Sequence, residues 1–379
     1  MKIGFFISSI GDTDLALATI KSIEQKGEHE VLLISLTKTA QQRVENFHST
    51  SLVGKNSLFE ILGSDFAEGH CTKKQLEHIL NFVHRQNINH AYVGVPSANN
   101  EIPFQIAGSL DEIPILMAYE FMFKPENHCL WKYLPELKSK SNIQWALPLP
   151  DAVEDFDVDK FHVIGHMSID NAYALKPTGS KSAEEIKHSL QVTSGQSLAF
   201  VSSTTQPVQI DATFLQALLT ELPKHPNIQV RLGIHPGIQD LDAYLIEILS
   251  IYKTHSDVSN QFKIILPDNL LGRFKKPELS INHLQFHDVF LRVNINGSEA
   301  ATAADRVAQA VPGALLNQSV LEGKPAYSHT GKPYLPQQYF SANIATFFSG
   351  ERQPPRRKEA LGLDEKTSPE RCADIIIRQ

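Results

Sequence analysis

Cysteine is scarce in this chain. Only Cys71, Cys129 and Cys372 occur among 379 residues, odd in number and far apart, which argues against both a disulfide framework and a four-ligand zinc site and points to a reducing, cytosolic setting. Long apolar runs are missing as well. The densest, Ile113 to Phe123 (IPILMAYEFMF), falls well short of the ~20 residues a membrane helix requires. No Lys/Arg cluster stands out against the net charge of −7 from 42 acidic and 35 basic residues, so a nucleic-acid backbone is an unfavourable partner. The opening MKIGFFISSIGDTD has too short an apolar stretch and no cleavage site for a secretory leader, and it reads as a first buried strand.

Several motifs are absent too. After that strand stands SSIGDTD rather than GxGxxG, which removes the main support for a nicotinamide dehydrogenase. Neither Gly54-Lys55 nor Gly331-Lys332 lies in a Walker A frame, and GxSxG, HExxH and EF-hand loops are all missing. Phosphate-loop NTPases, serine hydrolases of that type, zinc proteases and calcium sensors are thereby disfavoured.

What remains is an ordinary folded composition, 42% hydrophobic and 20% charged, with length for two domains at roughly 150 residues each. From Lys2 to Leu36 an apolar strand, a polar turn, a helical period and a second strand form a βαβ unit. A helical Lys74–Gln86 before HAYVGVP, and the amide-rich SANNE before a short helix and IPILMAY, repeat the alternation. Such alternation predicts a parallel sheet covered on both faces. An acidic stretch, VEDFDVDK, then a strand FHVIGHMSID, close the first series. After the polar stretch Lys176–Glu185, a second series runs through SLAFVSS, IQVRLGIHPG, FKIILPD, HDVFLRVN and KPAYSH, with EAATAADRVAQAV read as helical. The expected domains are 1–165, 166–350, and a tail 351–379 whose last helix, signalled by Ser368-Pro369-Glu370, docks back on the first domain.

Ligands of open α/β sheets bind beyond the carboxyl ends of the strands, so chemistry is sought there. Asp12 and Asp14 follow the first strand. They can cap the helix, hold a divalent metal and through it a diphosphate, or serve as a general base. Ser202, Ser203 and Thr204 end the first strand of the second half; hydroxyls ahead of a helix suit a phosphate, and they equally suit a simple Ser/Thr turn. His235, at a bend forced by Pro236 and Gly237, can donate to phosphate or stack on a base. Helix starts at Gly297-Ser298 and at Gly313 offer backbone donors to an anion.

The two α/β halves, His166 in GHMSID, His235 in RLGIHPG, and Gly313 to Pro325 (GALLNQSVLEGKP) together resemble the GT-B superfamily, the nucleotide-sugar glycosyltransferases with the related UDP-N-acetylglucosamine 2-epimerases. The resemblance implies two Rossmann-like domains facing each other across a cleft and a donor of the UDP, GDP or CMP class. It also implies an unidentified acceptor and a scheme needing no metal or other cofactor. Within it, Ser202, Ser203, Thr204 and either the Gly297-Ser298 or the Gly313 turn would meet the diphosphate, and His235 the phosphate or base. Asn317 or Gln318 would meet the ribose, and Asp12 or Asp14, with Glu120 in reserve, would act as base. The chain departs from the family at Asn317 and Gln318, where acidic residues are common; amides bond hydroxyls but cannot exchange protons. That favours glycosyl transfer, with a UDP-sugar 2-epimerase or sugar-nucleotide hydrolase as the first alternative and a catalytically inactive nucleotide- or sugar-binding protein as the second.

Overall fold

In a computed structural model, residues 1–63, 66–173, 181–205, 207–238, 240–271, 273 and 289–379 are described. Lys176–Ser180 of the polar stretch, Gln206, and His287-Asp288 at the start of HDVFLRVN lie outside the described residues. The chain divides into two units, Met1–Asp170 with Lys358–Gln379, and Asn171–Arg357.

The first unit is built on seven parallel strands: β1 (Lys2–Ile7), β2 (Glu30–Ser35), β3 (Leu52–Ser57), β4 (His90–Gly94), β5 (Ile115–Ala118), β6 (Ile143–Leu147) and β7 (Phe161–Val163). Their order is β3-β2-β1-β4-β5-β6-β7. Ile3, Phe5, Phe6 and Ile7 are all fully buried, the near-continuous apolar run of a strand covered on both faces. The order reverses between β1 and β4, so their carboxyl ends border the crevice where such sheets take ligands.

The final helix, Ser368–Arg378, packs on the first helix, Ile10–Glu24. It buries Cys372, Ala373 and Ile376, neighbours on one helical face. Lys26 reaches Asp374 at 2.5 Å, and Arg371 donates to the Ile164 carbonyl at 2.7 Å. Thr367 caps the helix in a capping box with Glu370. Thr367→Ala is expected to lower stability by about 1 kcal/mol, read as a shift in the denaturation midpoint; an unmoved midpoint would show that the cap contributes nothing.

The second unit carries six parallel strands, β8 (Ser197–Ser202), β9 (Ile228–Gly233), β10 (Phe262–Ile265), β11 (Phe290–Leu291), β12 (Arg306–Gln309) and β13 (Ala326–Ser328), ordered β11-β10-β9-β8-β12-β13. Here the reversal falls between β8 and β12. Both units are thus Rossmann-like α/β layers, as the alternating pattern predicts.

Two elements differ from the sequence reading. In FHVIGHMSID only Phe161–Val163 is strand; Gly165 takes a left-handed φ of +79° and the helix Met167–Tyr173 follows. In EAATAADRVAQAV the helix ends at Ala303 and Arg306–Gln309 is β12. Alanine-rich composition favours a helix, but Val307 and Ala308 are fully buried in the ladder between β8 and β13, so tertiary packing overrides propensity.

Candidate functional site

In the first unit the turn after β1 is organised by Asp12. Its carboxylate accepts the Ser8 and Ser9 main-chain N–H groups at 2.9 and 2.6 Å and both serine hydroxyls at 3.1 and 2.9 Å. Ser9 is the cap residue and Asp12 sits in the first turn, completing a capping box. Asp12 is fully enclosed, and burial lifts its pKa to about 6 against the pull of those four donors. The fit is tight: a Cβ at Gly94, the last residue of β4, would overlap this carboxylate. Asp14 points elsewhere, into a two-pronged pair with Arg43 at 2.6 and 2.9 Å.

Glu120, two residues beyond β5, lies against Gly11 at the start of the first helix, where a Cβ would collide with its carboxylate. Glycine there is what lets an acid approach the helix end. Among the described residues no group donates a hydrogen bond to the Glu120 carboxylate. Burial, then the nearby charges of Asp12 and Asp14, hold its pKa well above the ordinary carboxylate range. Opposing carboxylates with unlike surroundings are separated in proton affinity, the pattern of acid–base sites. Sequence reasoning placed Glu120 last of the three; the structure brings it beside Asp12.

His166 supports this arrangement. The Ser168 N–H donates to its Nδ1 at 3.0 Å, so Nε2 carries the proton and donates to the main-chain carbonyl of Glu120. Burial depresses its pKa to about 4, leaving a neutral ring that braces the loop. GHMSID was the signal for it in the sequence, but the partner is 46 residues away and only the fold reveals it. Tyr92 lies in the same layer, its buried hydroxyl without a partner among the described residues.

In the second unit the strand ends converge in their own network. The Ser203 Oγ accepts the His235 N–H at 2.6 Å, and the Ser203 N–H donates to the Gly233 carbonyl at 2.9 Å. Thr204 donates through N–H and hydroxyl to Asp211 at 2.9 and 3.0 Å, and Tyr244 donates to the same carboxylate at 3.1 Å. Ser202 donates to the Ser203 carbonyl at 3.2 Å. All three hydroxyl residues are buried. Asp211 and Tyr244, which complete the network, carried no sequence signal of their own.

His235 is the half-buried member. The Gly237 N–H donates to its Nδ1 at 2.9 Å, fixing the proton on Nε2, and burial keeps its pKa below the usual histidine value. It is a neutral donor at a strand end. The two helix starts differ. Asn296 and Glu299 form a capping box over the helix Gly297–Ala303, and Ser298 is exposed beside it. The helix Ala314–Leu321 has Gly313 at its cap and no side chain over its N–H groups. On that helix Asn317 is fully enclosed with both amide atoms unpartnered among the described residues, and the nearby strand end holds Gln309 with an equally unpartnered Oε1. Gln318 is partly exposed and donates to Glu322 at 3.2 Å.

No group of three or more metal-ligating side chains occurs among the described residues, and none of their helices is long and apolar enough to cross a membrane. No protein-family model matches the chain. No curated protein matches it by sequence. Solved structures do match its fold. The Staphylococcus aureus MnaA–UDP co-structure aligns with a TM-score of 0.60 at 10% identity, covering 99% of this chain and 95% of that one. UDP-GlcNAc 2-epimerase from Neisseria meningitidis bound to UDP-GlcNAc aligns at 0.56 and 11% identity, covering 100% and 99%. A glycosyltransferase from Rickettsia africae aligns at 0.52 and 11%, covering 86% and 78%. The resemblance to the GT-B superfamily therefore holds at the level of the fold.

Proposed function

We propose that this chain is a nucleotide-sugar enzyme, a glycosyltransferase that takes its donor on the second unit and uses Glu120 of the first as its base. The observation carrying the donor assignment is the pairing at the strand ends of the second unit: a neutral His235 whose Nε2–H is unspent among the described residues, and a helix start at Gly313 with no side-chain cap hydrogen bond among them. Fixed donors of this kind stabilise the negative charge that grows on a leaving diphosphate. Between the two helix starts, Gly313 is the better phosphate site, because the capping box at Asn296 already uses donors near Gly297 and Ser298. Ser202, Ser203 and Thr204 shape this corner chiefly through Asp211 and the main chain. Gln318, partly exposed, meets the ribose, whereas Asn317 is fully enclosed.

Among the three carboxylates, Glu120 takes the base assignment. Asp12 has four donors in place and no exposure, and Asp14 is committed to Arg43. In the reaction, the acceptor oxygen forms its bond to the anomeric carbon while the bond to the diphosphate breaks, and the acceptor proton passes to Glu120. No metal enters this scheme.

A second reading, the UDP-sugar 2-epimerase, is favoured by the epimerases among the matching folds. UDP-GlcNAc supplied without any acceptor separates the two: an epimerase produces the 2-epimer, a transferase leaves the sugar unchanged until an acceptor arrives. A protein that binds UDP and turns over nothing under either condition would match the inactive-binder alternative.

His235→Ala is expected to weaken UDP binding about tenfold, the loss of one hydrogen bond worth about 1.4 kcal/mol, measured by calorimetry or ligand-dependent thermal shift. Unaltered affinity would remove His235 from the donor site. If UDP, GDP and CMP all fail to stabilise the wild-type chain, the nucleotide assignment itself falls.

A further inference from the structure

The loops after β4 and β5, with Gly69 and His70 of the loop before the helix Lys73–Arg85, border an open cavity at the surface of the first unit, of about 560 Å³, lined by Gly69, His70, Asn99, Glu101, Asn127, His128 and Cys129. Its size is within the range of small-molecule sites, but its walls are polar. Glu101 is the centre. Its Oε2 accepts from the Tyr133 hydroxyl at 2.6 Å and faces His70 Nδ1 at 3.0 Å, while Oε1 accepts from Lys132 at 3.0 Å. These donors hold Glu101 ionised, its pKa lowered to about 2, and Lys132 balances its charge.

The other walls are set by local bonds. Asn99 accepts the Cys129 N–H at 2.9 Å; His128 accepts the Leu130 N–H at 3.1 Å and faces the Ala98 carbonyl at 3.2 Å. The first amides of the helix Leu130–Leu137 are thereby used, so that helix end has little left for an anion. No arginine lines the cavity and its one nearby lysine is paired to the carboxylate, which further disfavours phosphate. What stays available is a mixed set of neutral donors and acceptors. The Asn127 side chain is exposed and makes no hydrogen bond among the described residues, Glu101 Oε1 keeps a lone pair, and His70 Nε2 is open. In the same loop, behind the lining residues, Asn100 is buried with its Nδ2 lacking an acceptor among the described residues. Hydroxyl groups, which both donate and accept, suit this set.

We infer that this cavity binds a neutral saccharide through its hydroxyls. Naming that saccharide the acceptor rests on the transferase reading above; its binding does not.

Cys129 supplies a built-in reporter, since it lines the cavity while Cys71 and Cys372 are buried. In the full-length protein, alkylation by iodoacetamide at mildly alkaline pH, followed by intact mass, reads Cys129 alone; Cys129→Ser should abolish the label. The probes are methyl glucoside, methyl galactoside, methyl N-acetylglucosaminide, lactose and diacetylchitobiose at tens of millimolar, with inorganic phosphate and spermidine beside them. At least one saccharide is expected to slow alkylation several-fold, and Asn127→Ala to cancel that protection while the unliganded rate holds. Glu101→Gln should cancel it too, each rate being compared with the same variant's own unliganded rate, which rises because burial and then the Glu101 charge hold the Cys129 thiol pKa up. Protection by phosphate or spermidine alone, by nothing, or surviving both substitutions would overturn the inference. UDP-dependent thermal stabilisation, read on the same preparations, fails separately if only the nucleotide assignment is wrong.

Discussion

Replacing Glu120 with Gln lowers turnover by about 100- to 10,000-fold, the range a positioned proton-transfer group supplies, and leaves UDP affinity unchanged. The expectation rests on an acid that presses against Gly11, has no hydrogen-bond donor among the described residues, and is driven toward its neutral form by burial and by Asp12 and Asp14. A base in this setting works only once ionised. Turnover of the wild type should therefore rise with pH through an apparent pKa above that of an ordinary carboxylate, and Glu120→Gln should lack that limb. A limb running the other way, with activity falling as Glu120 ionises, would make it a general acid and shift weight to the epimerase. Equal turnover in variant and wild type would remove Glu120 from the chemistry. Gly11→Ala offers an independent check, since the added methyl must displace the carboxylate; it should mimic Glu120→Gln in rate without matching its loss of the pH limb.

The second expectation concerns Asp12 and stability. Its pKa rises from 3.8 to about 6 on folding, so the folded state holds the proton more tightly than the unfolded chain. The stabilisation from this group is complete below about pH 4 and is lost as pH climbs through about 6, a span worth about 3 kcal/mol. Asp12→Asn should flatten the stability-versus-pH curve in that window, and it should also lower the pKa of Glu120 by deleting a neighbouring charge. Asp12→Ala does something different: it strips the acceptor from the Ser8 and Ser9 N–H groups, at a cost of about 1–3 kcal/mol at any pH. A curve for Asp12→Asn that parallels the wild type would show that the group does not titrate in this range.

Much of the architecture was legible because apolar periodicity speaks for itself. KIGFFI, EVLLIS and SLAFVS are buried on both faces, and runs this short between turn residues suit strands rather than buried helices. β12 was hidden, since RVAQ follows an alanine-rich helix without Gly or Pro between them, and only its seat between β8 and β13 decides its state. The capping option for Asp12 was visible from its place in the polar turn after the first strand; that Ser9 is the cap residue and Asp12 its capping-box partner was not. The standing of Glu120 was not, because nothing in YEF reveals that a glycine 109 positions earlier leaves room for the acid. The Thr204–Asp211–Tyr244 network and the Glu101 cavity share that trait: each joins residues from separate loops and helices, and single-sequence spacing carries no record of which of them meet.

The course of the chain through the first unit has a bearing on how the protein is made. That unit combines Met1–Asp170 with Lys358–Gln379, so the helix that covers Leu15, Ala16 and Ile23 leaves the ribosome only after the second unit has been made. Domains generally assemble in the order of synthesis, but here the amino-terminal sheet waits with an apolar face uncovered while the whole second unit is being produced. Termination between Arg357 and the helix Ser368–Arg378 would spare every residue of the second unit and still leave the first one unfinished, handing chaperones and proteases a fragment whose defect lies in the unit made first.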